Sequence, residues 1–103
     1  MINRLNSLLE LYKKDPSDSF LIYGIALEYI SANDYQKAEE YLILLLKNDS
    51  KYVPAYMQYA ILKEKMDEND EAKRIYREGI IIAKELNDTK AAHEMEEFLN
   101  DLE

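Results

Sequence analysis

Alanines recur in this chain at a fixed interval. Ala26 is answered by Ala60 and Ala38 by Ala72, each 34 residues on. The apolar positions around them return as well, with Ile25 against Tyr59 and Leu42 against Tyr76. The polar pair Asn33-Asp34 comes back as Asp67-Glu68 at the same spacing. A small residue among larger apolar ones at helical spacing, on either side of a turn signal, marks two helices that touch closely. A period of this length built from two helices and a turn specifies an array of helix pairs, each burying its apolar face against the next. Such an array is first of all a scaffold for binding.

In chain order, Leu5, Leu8, Leu9 and Tyr12 lie on one face of a first helix spanning 2–14. Asp15-Pro16 ends it, because a proline pushes the residue before it out of helical geometry. One of Ser17, Asp18 and Ser19 caps a second helix that runs to about residue 32. It carries two apolar stripes, Ile22, Ile25, Ala26 and Tyr29 on one and Phe20, Tyr23, Leu27 and Ile30 on the other. A helix with two stripes is either held between neighbours or offers one stripe to a partner. A third helix over 35–47 contains the apolar run from Tyr41 to Leu46, which places it at the centre of the stack. A fourth begins near Pro54 and aligns Tyr56, Tyr59, Ala60 and Lys63. The fifth, over 70–86, is the longest and contains Gly79. A glycine there costs about 1 kcal/mol against alanine, so a neighbouring helix is expected close to it. After Asn87-Asp88-Thr89, a last helix sets Ala91, Ala92, Met95, Phe98, Leu99 and Leu102 on one side, as suits an element covering an open core edge.

The net charge of −8 is uneven, −2 over the first 52 residues and −6 over the rest. Grip on nucleic-acid phosphates needs the opposite sign, so no nucleic-acid partner is expected. The nine tyrosines lack interleaved basic residues and read as packing groups rather than base-stacking platforms. There are no cysteines, hence no disulfide, thiolate metal site or cysteine nucleophile. No apolar run has the length of a leader or a membrane span, and the expectation is a cytoplasmic chain with no membrane partner. His93 is the single histidine. With Glu97 one turn on it offers two ligands at most, too few for a metal site. No glycine-rich loop exists to cradle a phosphate. The expectation is therefore no catalytic residues, no metal and no cofactor.

With these residues the chain resembles a tetratricopeptide repeat protein. One full repeat covers 19–52 with Ile22, Ile25-Ala26, Tyr29, Tyr35, Ala38 and Leu42 in the family's slots. A second covers 53–86 with Tyr56, Tyr59-Ala60, Ala72, Tyr76 and Gly79. Residues 1–16 look like the second half of an earlier repeat, with Arg4 in the alanine slot, and 88–103 like a capping helix. Lys63 stands where a tyrosine is expected, Leu45 in an alanine slot, and Ser50 and Lys84 in proline slots.

The resemblance implies an all-α fold, a right-handed α–α superhelix of antiparallel helix pairs with about six helices. It implies a concave groove lined by Phe20, Tyr23, Leu27 and Ile30 and by Met57, Gln58, Ile61 and Lys65. Ile25, Ala26, Tyr29, Ala38, Leu42, Tyr59, Ala60, Ala72, Tyr76 and Gly79 would be the packing positions. Some relatives grip a C-terminal carboxylate with lysine, asparagine and arginine in that groove. Tyr23 and Leu27 occupy the matching places here, and Gln58 is the one comparable polar group in the second repeat. An extended apolar or aromatic peptide, or an amphipathic helix, fits such a face better. The function implied is a non-catalytic protein-binding module. The other reading is a self-associating homodimer, with the groove or the opening half repeat joined to a second copy; the last helix could also fill the groove.

Overall fold

The computed structural model describes residues 3–103. They form six helices and, among the described residues, no strand: α1 (Arg4–Lys14), α2 (Ser19–Ser31), α3 (Tyr35–Asn48), α4 (Val53–Lys65), α5 (Asn69–Glu85) and α6 (Thr89–Leu102). Ile2, expected in the first helix, lies outside the described residues.

Short polar side chains set where most helices begin. Asn3 Oδ1 accepts from the N–H of Leu5 at 2.8 Å, which starts α1. Of the three residues that could cap α2, Asp18 does so, accepting from Leu21 N–H at 3.2 Å. Asp34 and Asp88 cap α3 and α6 in the same way, through Lys37 N–H and Ala91 N–H, both at 3.2 Å. Each carboxylate satisfies an orphan donor and sits at the positive end of the helix dipole. α4 lacks a side-chain cap and carries Pro54 in its first turn, where the missing N–H leaves no bond unmade.

Three helices end alike. Asn33, Asp67 and Asn87 adopt left-handed backbone at φ 61, 60 and 59°. After each, the next N–H reaches back five residues, from Asp34 to Tyr29 O (2.9 Å), Glu68 to Lys63 O (2.9 Å) and Asp88 to Ala83 O (2.8 Å). This Schellman arrangement satisfies carbonyls at the helix end. Asparagine and aspartate tolerate the left-handed region where glycine would be the usual choice. The second member of each turn, Asp34, Glu68 or Asp88, is at once the N-cap position of the following helix. A three-residue link is thereby enough to reverse the chain.

The chain divides into two compact units, one up to Ser50 and one from Lys51. In the first, α2 packs against both α1 and α3. Ile22, Ile25, Ala26, Ala38, Leu42 and Leu45 are fully buried. Ser19 Oγ donates to Asp49 Oδ2 at 3.1 Å and ties the start of α2 to the residue closing α3. The apolar run of α3 does not bury all round, since Ile43 is half exposed while Leu42 and Leu45 are inaccessible. In the second unit α5 lies against α4 and α6. Its core includes Tyr56, Ala60, Leu62, Ala72, Ile75, Tyr76, Ala83 and Met95. α5 is the longest helix, and Gly79 explains how it fits. A Cβ built there would stand 2.7 Å from Tyr56 Cβ on α4 and 2.7 Å from Met95 Sδ on α6. Two helices close on this one position, which offsets the helix propensity a glycine lacks.

Candidate functional site

Each unit presents a helix face that the packing leaves partly open. On α2, Phe20 is 72% exposed, the most of any large apolar side chain among the described residues. Tyr23, Leu27 and Ile30, on the same stripe, are half-buried. On α4, Met57, Gln58 and Ile61 are half-buried and Lys65 is exposed. The opposite stripe of each helix is inside, with Ile22, Ile25 and Ala26 on α2 and Tyr56 and Ala60 on α4. Both helices thus spend one stripe on their unit's core and leave the second accessible. Of the residues expected at packing positions, Tyr29 and Tyr59 remain half-buried and the other eight are buried.

Polar groups inside the second unit are paired. Lys63 is buried, and its Nζ donates to Glu68 Oε2 at 2.7 Å while lying 5.8 Å from the centre of the Tyr59 ring. The hydroxyl of Tyr76, inaccessible to water, donates to Glu64 Oε2 at 2.5 Å. Burial first, then this bond and the Glu64 charge, push the Tyr76 hydroxyl far above the ordinary tyrosine range. His93 Nε2 lies 2.8 Å from Glu97 Oε1, and both side chains are exposed on α6. Among the described residues no group of three or more His, Asp or Glu is placed to hold a metal ion, and no helix is long and apolar enough to cross a membrane.

Sequence reasoning missed a cluster in the first unit. Tyr41 of α3 stacks on Tyr29 of α2, with centroids 5.6 Å apart and planes at 20°. Tyr12 of α1 meets Tyr41 edge to face, at 6.1 Å and 78°. Two clefts adjoin the Tyr12–Tyr41 pair. One, of about 390 Å³, is lined by Asn6, Leu9, Glu10, Tyr12, Lys13 and Tyr41. The other, of about 230 Å³, is lined by Tyr12, Lys37, Glu40, Tyr41 and Leu44. Burial, then the nearby Tyr29 and Tyr12 hydroxyls and the Glu40 carboxylate, raise the Tyr41 hydroxyl above its ordinary value. Tyr12 read as one more apolar residue of α1, and nothing in the spacing links it to an α3 residue so far along the chain.

Residues 23–103 match the family model described as anaphase-promoting complex subunit 5. Among solved structures, a tetratricopeptide repeat domain protein from Salinibacter ruber is 29% identical, with a TM-score of 0.82 over 86% of this chain and 90% of that one. The TPR2B domain of yeast Sti1, solved as a complex with pHsp70, is 17% identical with a TM-score of 0.89, covering 95% of this chain and 78% of that one. The protein BPP2914 from Bordetella parapertussis is 18% identical at a TM-score of 0.88, over 99% and 89%. No curated protein matches the chain.

Proposed function

Because the chain belongs to the family of anaphase-promoting complex subunit 5, a family of tetratricopeptide-like repeats, we propose that it is a non-catalytic module that binds a protein segment. The segment would be an extended apolar or aromatic peptide, or an amphipathic helix, taken by the open stripe of α2 or by that of α4. The observation that carries this is Phe20, exposed beside three half-buried apolar neighbours on a helix whose other stripe is already used. Single exposed apolar residues are ordinary, whereas a phenyl ring heading a continuous stripe marks a contact surface. The yeast domain of the same fold is in complex with pHsp70, which supports a protein as the kind of partner. The net charge of −8 supports the same choice over a nucleic acid. In this reading residues 19–52 and 53–86 are the two full repeats, 1–16 a half repeat and 88–103 a cap.

Selection of peptides from a random library on the immobilised protein tests the proposal. The expected outcome is enrichment of apolar and aromatic sequences whose affinity falls about tenfold or more with Phe20→Asp, as for a central contact residue. Selected peptides that ignore both Phe20→Asp and Ile61→Asp would overturn it. The second reading, self-association, predicts instead a dimer by light scattering that Phe20→Asp or Leu11→Asp dissociates; Leu11 is 49% exposed on α1.

A further inference from the structure

The tyrosine clefts of the first unit share no residue with the open stripes of α2 and α4. Tyr12 and Tyr41 meet edge to face, with centroids 6.1 Å apart and planes at 78°, and both side chains line each of the two clefts. Tyr29 stacks on Tyr41 and covers one of its faces, which holds that ring in place. The ring face of a phenol is the negative part of its quadrupole and attracts a cation. Beside the two rings Glu40 makes no ion pair among the described residues and is exposed on the rim of the smaller cleft. In the larger cleft Glu10 is already paired with Lys13 at 3.2 Å, so that pair adds no net charge. Lys37 is the remaining cation on the rim and works against a positive ligand.

We propose that the Tyr12–Tyr41 pair is a second binding site, which takes the guanidinium of an arginine carried by a basic partner segment. The smaller cleft, about 230 Å³, holds a side-chain head group rather than a whole peptide. A guanidinium is flat, so it lies on one ring while its N–H groups point in plane toward the Glu40 carboxylate. An ammonium is more strongly hydrated and lacks that shape. An anion meets the aromatic surface and the Glu40 carboxylate, with Lys37 alone to attract it, and is disfavoured. The first 52 residues carry a net charge of −2, so the attraction for a basic segment rests on Glu40 itself rather than on the acidic balance of the whole chain.

The test is an NMR titration of the full chain with the blocked peptide acetyl-Gly-Arg-Gly-amide, against the same peptide with citrulline, its uncharged isostere. Saturable shifts confined to the neighbourhood of Tyr12 and Tyr41, with the arginine peptide alone, are expected. Glu40→Gln should weaken binding about threefold, and Lys37→Gln should tighten it about twofold, as exposed charges do. Both positions are exposed, so neither variant endangers the fold. Tyr12→Leu should weaken binding about fourfold or more through the lost ring face. Equal binding of the citrulline peptide, shifts scattered over both units, or weaker binding by Lys37→Gln would each overturn the assignment.

Discussion

Tyr76 and Glu64 join α5 to α4 through one hydrogen bond, 2.5 Å from hydroxyl to carboxylate oxygen, with the tyrosine ring wholly inside. Tyr76→Phe keeps the ring and removes the donor. A bond to a charged acceptor is worth about 1.5–3 kcal/mol, and a loss of that order in urea unfolding at pH 7 is expected. The bond also has a pH signature. The unfolded chain releases a tyrosine proton near pH 10, and folded Tyr76 holds its proton well beyond that. Above pH 10 the native state therefore binds more protons than the unfolded one, and stability falls as pH rises. Below pH 10 the contribution is fully present. The stability gap between the native protein and Tyr76→Phe should narrow as the pH passes 10; a gap that stays constant from pH 7 to 11 would contradict the assigned bond.

The two glycines should respond oppositely to alanine. At Gly79 the new methyl collides with Tyr56 Cβ and Met95 Sδ, both at 2.7 Å. Overpacking of that kind costs about 1–3 kcal/mol and exceeds the gain in helix propensity. At Gly24 the nearest atoms are the two methyl groups of Leu8, at 3.3 and 3.6 Å, on a side chain that can give way. Gly24→Ala should stabilise by about 0.5–1 kcal/mol. Thermal melts of the two variants decide the matter, since opposite signs are required.

Ala38 of α3 is wholly buried, and α3 packs against α2. Ala38→Leu should cost about 1–3 kcal/mol in denaturant unfolding. An unchanged midpoint would mean that α2 and α3 have room between them.

Lys63 and Glu68 invite an asymmetric test. The lysine side chain is 9% exposed and the glutamate 43%. Lys63→Met retains the buried stem and removes the buried charge together with its need for a partner, so stability should change by less than about 1 kcal/mol. Glu68→Gln weakens the pairing of a charge that stays inside and should cost about 1–2 kcal/mol. Calorimetry that ranks the two the other way round would show that Lys63 stabilises the fold through more than its pair with Glu68.

Much of the architecture was legible because sterics leave few options. Ala26, Ala38, Ala60 and Ala72 recur in register, and all four are inaccessible. The turns at Asn33 and Asp67 could be read from residue types that accept left-handed backbone. Helix edges moved by a residue or two where a cap rather than a pattern decides them, as Asp18 does for α2. Two departures from the repeat have charged partners in the structure. Lys63 fills a tyrosine slot by pairing with Glu68, and Arg4 fills an alanine slot by reaching Glu28 of α2 at 3.0 Å. The Tyr12–Tyr29–Tyr41 cluster stayed hidden in the sequence. Its members come from three helices, and helical periodicity reports the face a residue lies on, not the ring it will meet.

Three-residue links join α2 to α3, α4 to α5 and α5 to α6, and each helix rests mainly on its neighbour in the chain. Few distant segments must find one another before contacts reward the search, and chains of this kind fold on the order of microseconds to milliseconds. Growth on the ribosome, at roughly 5–20 residues per second, is far slower. α3 should therefore settle against α2 while the remainder is still being made, so that exposed apolar stripes such as that of α2 are met by a nascent chain already half committed to its shape.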